Sequence, residues 1–412
     1  MNSIRPAILR GALVAAIDMG ALGTSLAAER DLLVNPAAQP GDEAGIGVAG
    51  AAAQVATGAP GEAAARGAAY VFDCSGAACA TPQRIAPGDL AEGDRFGAAL
   101  AMSGDTLAIA ATGASPGAVY VYVHVGGVWM QQARIAPAGV AGERFGIALA
   151  LDGDTLVVGA DRADARAGAA YAFVRIGTGW AQAARLTPLD AHAGDAFGRS
   201  VAIDAGTILV GAPLAPGAGA GSFARGAVYA FVGGGSNWTQ QARLAPSSLA
   251  DGDSFGLAVS LSGDRAAIGA PMAQARAGSA YVFERSGSAW SERARLVPTP
   301  AAAGDRFGWS VAIEGTAALV GAPYAWGGCG RATLYRTTNG SNWFATTDAD
   351  VAVPLPETLA GWGVSIDGAR WMIAAPGYAA GAEHRGAAYR FGGGDAVFSD
   401  GFEPSALVDA CN

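Results

Sequence analysis

Short runs of alternating apolar and polar residues follow one another along most of the chain. Runs such as "FGIALAL" and "GAVYVY" extend over four to seven residues and are bounded by Gly, Pro, Asp or Ser. A period of two is typical of a β-strand, because successive side chains of a strand point to opposite faces of the sheet. No helical period is visible, so the pattern predicts an all-β protein.

The letters "GDRFG", first found at Gly93 to Gly97, recur along the sequence with small changes. Aligned on the aromatic-glycine pair, the clear copies are Phe96, Phe145, Phe197, Phe255 and Phe307. Degenerate copies, Ile46-Gly47 and Trp362-Gly363, flank them, so that seven units recur every 49 to 58 residues. A period of this length is typical of solenoids and propellers.

Each unit contains the same four runs. One follows the aromatic-glycine pair, and a tight turn leads to a second that ends in Gly-Ala-Pro or a relative of it. A variable loop leads to a third, and a Trp-bearing hairpin opens a fourth. Four antiparallel strands form one blade of a β-propeller. We therefore predict a seven-bladed β-propeller of four-stranded antiparallel blades over residues 28–395.

The ring is predicted to be closed by the N-terminal strand. Six fourth runs follow the first unit, and the seventh, "RDLLVNP" at Arg30 to Pro36, precedes it. The last unit ends at its third run, "GAAYRF". Pairing the N-terminal run with that third run completes the last blade and removes an open sheet edge.

Phe-Gly followed by Gly-Ala-Pro in successive units resembles the FG-GAP repeats of integrin α-subunit propellers and of secreted bacterial repeat proteins. The resemblance covers residues 30 to about 392. It implies a seven-bladed propeller, independently of the count above. It also implies a module that binds other proteins or carbohydrates, in some cases within adhesive complexes.

The integrin type carries a calcium loop, D-x-D-x-D-G, between Phe-Gly and Gly-Ala-Pro. Here that interval is a tight turn such as "DGDT" at Asp152, which is too short to supply the six to eight oxygen ligands of Ca²⁺. We therefore expect no metal and no cofactor. "DRADAR" from Asp161 alternates its acids with Arg and is interpreted as a solvated loop.

A recurrent acid and a recurrent Arg accompany the repeats. The acids precede the aromatic residue and are Asp94, Glu143, Asp195, Asp253 and Asp305. The arginines lie between the second and third runs and are Arg66, Arg166, Arg225, Arg276 and Arg385. Both connections emerge on one face of a propeller, so these residues are expected to pair, while the Phe fills the space between blades and its Gly lets the inner strand turn.

Composition excludes some partners. The 412 residues are 51% hydrophobic and 15% charged and carry a net charge of −9, which a nucleic-acid backbone repels. No segment after the N-terminus offers the 18 uncharged apolar residues that a membrane span needs. We expect a monomer.

The N-terminus is interpreted as a signal peptide. Arg5 and Arg10 precede an apolar stretch, and Ser25-Leu26-Ala27 supplies small residues for cleavage, although Asp18 interrupts the stretch. A disordered extension is the alternative. A signal peptide over residues 1–27 implies a secreted or cell-surface protein.

Four cysteines suit an oxidising compartment. "CSGAAC" places Cys74 and Cys79 across a tight hairpin and predicts a disulfide, with a zinc site as the alternative. A bridge between Cys329 and Cys411 is a further possibility.

Catalytic motifs are not found. The three histidines fall in separate units, and Asp190, His192 and Asp195 form an acid-His-acid group without a nucleophile or metal partner. We predict a secreted, non-catalytic propeller that binds a protein or a glycan; an exported enzyme with a site at the mouth of the channel is the alternative. The expected ligand-binding residues are Tyr324 and Trp326, on a loop that breaks the repeat pattern, and 396–412 form a C-terminal tail.

Overall fold

The computed structural model describes most of the predicted propeller. The described ranges are 30–35, 38–76, 78–137, 142–216, 224–352, 358–368, 370–378 and 385–391. The predicted signal peptide and C-terminal tail lie outside these residues, as does His384.

Twenty-eight strands form seven four-stranded antiparallel sheets. The N-terminal strand is β1, Arg30–Leu33. The first strands of blades 1 to 7 are β2 Val48–Ala51, β6 Phe96–Ser103, β10 Leu149–Asp152, β14 Ser200–Asp204, β18 Val259–Ser262, β22 Ser310–Glu314 and β26 Val364–Asp367. The second strands are β3 Gln54–Ala59, β7 Thr106–Ala111, β11 Thr155–Ala160, β15 Thr207–Ala212, β19 Arg265–Ala270, β23 Ala317–Ala322 and β27 Arg370–Ala375.

The outer half of each blade follows the same order. The third strands are β4 Ala68–Asp73, β8 Ala118–Val125, β12 Ala169–Ile176, β16 Ala227–Gly234, β20 Ser279–Ser286, β24 Arg331–Thr337 and β28 Ala387–Phe391. The fourth strands of blades 1 to 6 are β5 Gln83–Ile85, β9 Val128–Ile135, β13 Gly179–Leu186, β17 Asn237–Leu244, β21 Ala289–Leu296 and β25 Trp343–Ala352. Four one-turn segments lie between second and third strands: α1 Glu62–Ala65, α2 Ala163–Arg166, α3 Ala273–Arg276 and α4 Ala325–Gly328.

The seven sheets form a closed ring. Each first strand contacts the first strands of both neighbouring blades, and β2 contacts β26 where the ring closes. The first strands are therefore innermost and surround the axis. The predicted seven-bladed β-propeller is confirmed.

The N-terminal strand closes the ring, as predicted. β1 pairs antiparallel with β28, and Asp31 lies opposite Arg390 in the register. The Asp31 carboxylate accepts hydrogen bonds from the buried Arg390 guanidinium, one of them 2.9 Å from Nε. Breaking a buried ion pair by removing one partner costs about 3 kcal/mol or more, so this contact holds the closing strand firmly.

A disulfide lies beside this closure. Cys74 and Cys79 are bonded at the end of β4 in blade 1, and Cys79 Sγ lies 3.4 Å from Asp31 Oδ2. Arg390 Nη1 also donates to the Cys74 carbonyl, at 3.3 Å. The first and last blades are thus joined through one cluster of residues. Cys329 is also disulfide-bonded, and its suggested partner Cys411 lies outside the described residues.

The aromatic residue of each clear repeat lies between blades, as expected. Phe96, Phe145, Phe197, Phe255 and Phe307 are completely buried. Phe255, for example, packs with Val228 of blade 4 and Tyr281 of blade 5, and its ring meets Tyr281 edge-on with centroids 5.5 Å apart. Burying one such Phe contributes about 2 kcal/mol.

The glycine after the aromatic residue is required by geometry. Gly97 has a φ of 95°, which favours glycine, and a Cβ there would lie 2.3 Å from the carbonyl oxygen of Ala68. The inner strand can therefore turn beside the third strand of the previous blade only where this residue has no side chain.

The predicted alignment of the two degenerate units is wrong by two residues. The parallel bridge that joins Phe96 to Gly67 is formed in blade 7 by Ala360 and in blade 1 by Ala44. Ala44-Gly45 and Ala360-Gly361 are therefore the equivalents of Phe-Gly, and not Ile46-Gly47 and Trp362-Gly363. With this correction the first and last spacings become 52 and 53 residues.

Within the described residues, no helix has the length and apolar character that crossing a membrane requires.

Candidate functional site

The same tight turn lies at or just before the start of every first strand. In it a backbone N–H bonds the carbonyl three residues earlier, and the acceptor residue has a φ of 55° to 58°. The donor and acceptor residues are Ile46 and Glu43, Ala98 and Arg95, Ile147 and Arg144, Arg199 and Ala196, Leu257 and Ser254, Trp309 and Arg306, and Trp362 and Leu359. Because the first strands surround the axis, these fourteen residues form a ring at one end of the channel. We call this ring the channel mouth.

The backbone alone determines the shape of this turn. A left-handed φ in a residue other than Gly costs about 1 kcal/mol, yet all seven copies adopt it with side chains as different as Glu, Arg, Ser and Leu. The repeated hydrogen bonds therefore hold the backbone, and the side chains of the channel mouth are left to vary between blades.

The recurrent acids cap the residues just before this turn. In four clear repeats Oδ2 of the acid accepts a hydrogen bond from the N–H three residues earlier, at 2.8 to 3.3 Å. The acids and donors are Asp94 and Ala91, Asp195 and His192, Asp253 and Ala250, and Asp305 and Ala302. Among the described residues none of these four acids forms an ion pair with a recurrent Arg, so the expected pairing is wrong for them.

The recurrent arginines join neighbouring blades through their backbone. The carbonyls of Arg66 and Arg225 accept hydrogen bonds from the N–H groups of Phe96 and Phe255, at 2.9 and 3.0 Å. The carbonyls of Arg166 and Arg276 accept instead from the residues before the Phe, Ala196 and Arg306, both at 2.9 Å. The side chain of Arg225 pairs instead with Asp251, at 2.7 Å. The sequence predicted correctly that the two connections that carry the arginines and the acids lie side by side, but these arginines join them through backbone hydrogen bonds, where ion pairs with the recurrent acids were expected.

Three aromatic side chains meet at one side of the channel mouth. Trp309 of blade 6 and Trp362 of blade 7 have ring centroids 5.1 Å apart, and Tyr324 lies 5.8 Å from Trp309 and 6.4 Å from Trp362. The guanidinium of Arg306 lies over Tyr324, 4.1 Å from its centroid, and 5.5 Å from that of Trp309. All four side chains are half-buried. We call these four residues the aromatic cluster.

The two predicted ligand-binding residues are separated by the structure. Tyr324 belongs to the aromatic cluster, whereas Trp326, at a left-handed φ of 50° in α4, lies under the guanidinium of Arg331, 5.3 Å from the ring centroid. The loop sequence suggested that both side chains are exposed, but both are half-buried. Tyr324 therefore joins a larger aromatic surface, and Trp326 packs against its own blade.

Positive charge occupies another part of the channel mouth. Arg95 pairs with Glu43 of the neighbouring blade, at 2.6 Å. Arg144 Nη1 lies 3.4 Å from Oδ2 of Asp161. Arg199, one blade further, makes no ion pair with any described residue. Burial lowers the pKa of Arg199, and the charge of Asp161 opposes this effect while that of Arg144 adds to it.

Asp161 was interpreted from sequence as part of a solvated loop, and that interpretation is wrong. The residue is only 5% exposed, because it follows β11 directly and lies under the turn that holds Arg144. Asp164, the second acid of "DRADAR", pairs with Arg185 at 2.6 Å and is exposed. The two acids of one short sequence thus have different surroundings.

At the opposite end of the ring, the turns between first and second strands are joined from blade to blade. The last residue of a first strand accepts a hydrogen bond from the turn of the next blade, at 2.5 to 3.2 Å. These acceptors and donors, which we call turn latches, are Ser103 and Gly153, Asp152 and Ala205, Asp204 and Gly263, Ser262 and Gly315, and Glu314 and Gly368. Asp367 likewise accepts from the N–H of Ala52 in blade 1. The acids that could have suggested calcium loops therefore connect neighbouring blades.

The acid-His-acid group has structural contacts. Asp195 caps the turn at His192, whose imidazole is exposed, and Asp190 pairs with Arg243 at 3.3 Å. In the part of the chain that the structure describes, no three His, Cys, Asp or Glu residues converge in a way that could hold a metal.

The sequence did not lead us to predict Trp309, Trp362 or Arg199 as residues of a binding site. A signal for them was present, because each lies directly after the recurrent glycine of its unit once the units are aligned correctly. Across the seven units this position reads Ile46, Ala98, Ile147, Arg199, Leu257, Trp309 and Trp362. A position that varies this much within a regular repeat indicates a surface that the fold does not constrain.

A sequence model of the FG-GAP repeat matches five segments of the chain, 81–122, 129–173, 180–231, 238–283 and 290–332. Together these segments cover more than half of the 412 residues. Each begins at or near the fourth strand of one blade and ends in the third strand of the next. A search of curated proteins gave no match. Five matched repeats within a seven-bladed ring show that the chain belongs to the FG-GAP repeat family.

Proposed function

We propose that this protein is an exported, non-catalytic interaction module that binds a protein or glycan ligand at the channel mouth. The observation that carries the proposal is the aromatic cluster. Trp309 and Trp362 come from different blades, and Tyr324 comes from the loop between β23 and β24. Aromatic and Arg side chains dominate the energetics of interfaces, and Trp and Tyr offer a large contact area at low entropic cost.

Variation between units supports this location. The turn that carries the cluster has the same backbone in all blades, so the folding of the ring does not require tryptophan at these two positions. Blades 1 to 5 have Ile46, Ala98, Ile147, Arg199 and Leu257 there. Binding sites on propellers are built by changing loop residues on a rigid scaffold, and this ring position changes without altering its scaffold.

Export is proposed on the N-terminal sequence together with the disulfide. The first 27 residues have the charged and apolar segments of a signal peptide. The bond between Cys74 and Cys79 suits an oxidising compartment. An intact mass of the secreted chain that begins at Ala28 would support this part of the proposal. A chain that stays inside the cell with Met1 retained would contradict it.

The binding proposal is tested by screening the purified chain against a glycan array and against a panel of extracellular proteins. Each hit is then measured with the Trp309→Ala/Trp362→Ala double variant. We expect at least a tenfold loss of affinity, about 1.4 kcal/mol. Phe344→Ala is the matched control, because Phe344 is an exposed aromatic residue, 49% accessible, on the fourth strand of blade 6. Hits that the double variant binds as tightly as the parent would place the ligand elsewhere.

A further inference from the structure

The charge of the channel mouth is opposite to that of the protein. Its fourteen residues include four arginines and one glutamate, in a chain whose net charge is −9. The arginines are Arg95, Arg144, Arg199 and Arg306. A surface on which one sign of charge predominates concentrates counter-ions of the other sign, so this surface favours an anionic ligand despite the acidic chain around it.

The Asp161 carboxylate contacts one of these arginines, Arg144, and not Arg199. Asp161 Oδ2 lies 3.4 Å from Arg144 Nη1, a long contact for an ion pair of this type. Asp161 Oδ1 is buried and has no hydrogen-bond partner among the described residues. Arg199 makes no ion pair there either. Arg144, Arg199 and Asp161 together therefore carry one net positive charge. The side chain of Arg144 is 31% exposed, so its guanidinium keeps N–H donors available to a ligand.

The surroundings of Arg199 make a bound anion favourable. Arg199 is half-buried, and this burial lowers its pKa, with the charge of Arg144 adding to the effect and that of Asp161 opposing it. A charge in such surroundings has lost part of its hydration, and a bound anion would restore favourable contacts to Arg199 and offset the repulsion from Arg144.

The shape of the charged groups indicates which anion fits. The planar guanidinium matches a carboxylate with two parallel hydrogen bonds. The aromatic cluster lies on blades 6 and 7, three blades round the ring from Arg144 and Arg199 on blades 3 and 4. Aromatic faces pack against the apolar faces of pyranose rings, and a carboxylated sugar combines such a face with the anion.

From these observations we propose that the channel mouth binds an acidic oligosaccharide, with a uronate carboxylate on Arg144 and Arg199 and a pyranose ring on the Trp309 and Trp362 side. The inference rests on the proposed function, and it specifies the ligand class of the same site. An oligosaccharide that lies across the channel mouth contacts both groups at once, so that their contributions add within one ligand.

The experiment compares oligogalacturonate with the same oligomer after chemical reduction of its carboxyl groups, by calorimetric titration. We expect the acidic oligomer to bind at least tenfold more tightly, and the difference to shrink as salt is added, because exposed charge interactions are screened. Arg199→Gln should reduce the affinity for the acidic oligomer to that of the neutral one and leave binding of the neutral oligomer unchanged. Arg144→Gln is a second, independent variant with the same expected result.

Arg293→Gln is the matched control, because Arg293 lies on the outer strand β21 and pairs with Glu284 at 2.9 Å. It should keep the preference for the acidic oligomer. Thermal unfolding of each variant verifies that the ring is intact.

The possible failures are distinguishable. Equal affinity for the two oligomers, lost in Trp309→Ala/Trp362→Ala, would overturn the inference and support the proposed function. Tighter binding of poly-glutamate than of oligogalacturonate would also overturn it and would indicate an acidic protein segment as the partner. No binding of either oligomer would overturn the inference as well, and the screen described above would then decide the proposed function by itself.

Discussion

Trp309 and Trp362 hold the same position in neighbouring blades, and their ring centroids are 5.1 Å apart. Their contact joins blades 6 and 7 at the channel mouth, where Tyr324 and Arg306 complete one continuous surface. In the other five blades the same backbone position carries residues without aromatic rings. The ring is therefore symmetric in its backbone and asymmetric in the surface that it presents.

The first prediction concerns this pair. Trp362→Ala should weaken ligand binding by tenfold or more and lower the melting temperature by only a few degrees, because the indole is half-buried at the channel mouth. Trp362→Phe keeps an aromatic face and should retain most of the affinity. Titration with a ligand from the screen, beside thermal unfolding of both variants, tests this. A large loss of stability with unchanged affinity would show that Trp362 is a packing residue.

The second prediction concerns closure of the ring. Deleting residues 29–36 removes β1, exposes the edge of β28 and leaves Arg390 without Asp31, so the melting temperature should fall sharply. Two point variants in the same strand serve as a matched pair. Leu33 is 3% exposed and Leu32 is 44% exposed. Leu33→Ala should cost about 3 kcal/mol and Leu32→Ala less than about 1 kcal/mol. A truncated chain that melts like the parent would contradict closure by β1.

The third prediction concerns a missing turn latch. Ala51 holds in blade 1 the position of Asp152 and Asp204, and it has no side-chain oxygen to accept from the turn of blade 2 at Gly104. Ala51→Asp should complete the set and stabilise the chain by about 1 kcal/mol. Asp204→Ala, which removes an existing latch, should destabilise it by a similar amount. Denaturant unfolding of both variants measures the two changes in the free energy of unfolding. Changes of the same sign in the two variants would contradict the prediction.

The fourth prediction concerns pH. Burial raises the pKa of Asp195 above its ordinary value of 3.8, although the N–H of His192 opposes the shift. Such a carboxyl group binds more protons in the folded than in the unfolded chain between the two pKa values. Stability therefore falls as the pH rises from 3.8 to the raised pKa.

Asp195→Asn keeps an oxygen for the turn and removes the charge. This variant should be at least as stable as the parent at neutral pH and should show a smaller loss of stability above pH 3.8. Asp195→Ala loses the cap and should cost about 1 kcal/mol. Thermal unfolding across this pH range compares the three chains. A variant with Asn that is as unstable as the one with Ala would indicate that the negative charge itself stabilises the turn.

The fifth prediction concerns calcium. The turns between first and second strands contain two residues, and the carboxylates of Asp152 and Asp204 accept hydrogen bonds from neighbouring turns. A chelator should therefore leave the melting temperature unchanged, since only a ligand bound to the folded chain shifts it. A drop of several degrees would show that a metal stabilises the ring.

Strand pattern and repeat spacing were sufficient to predict the fold. Alternation along each run reflects burial between blades, and the count of fourth strands identified β1 as the closing strand. The same patterns gave a wrong alignment of the two degenerate units. Ile46 and Trp362 were chosen because they are large residues before a glycine, whereas the space between blades at those units is taken by Ala44 and Ala360. Size alone therefore gave the wrong register.

The candidate site was predicted less well, because its contacts join distant parts of the chain. Asp161 lies beside charged residues in sequence, which suggested solvent, yet its partner is Arg144 in the preceding turn. Trp309 and Trp362 are 53 residues apart and meet only because neighbouring first strands are adjacent round the axis. Tyr324 was identified by its aromatic character, but its neighbours depend on the blade arrangement.

The offset between sequence repeat and blade has a consequence for how such a ring can be cut and rejoined. Because each repeat starts with a fourth strand, the chain from β1 to β28 consists of seven whole repeats, and every one of them bridges two blades. Its described ends are neighbours, since Arg30 lies opposite Phe391 in the register. A circularly permuted chain, joined there by a short linker and opened between β4 and β5, would keep the same seven repeats and the same interlocked closure. Opening between β5 and β6 would instead produce seven blades without a strand shared between the first and the last. The position of the cut relative to the repeat thus decides whether one blade is still built from both ends of the chain.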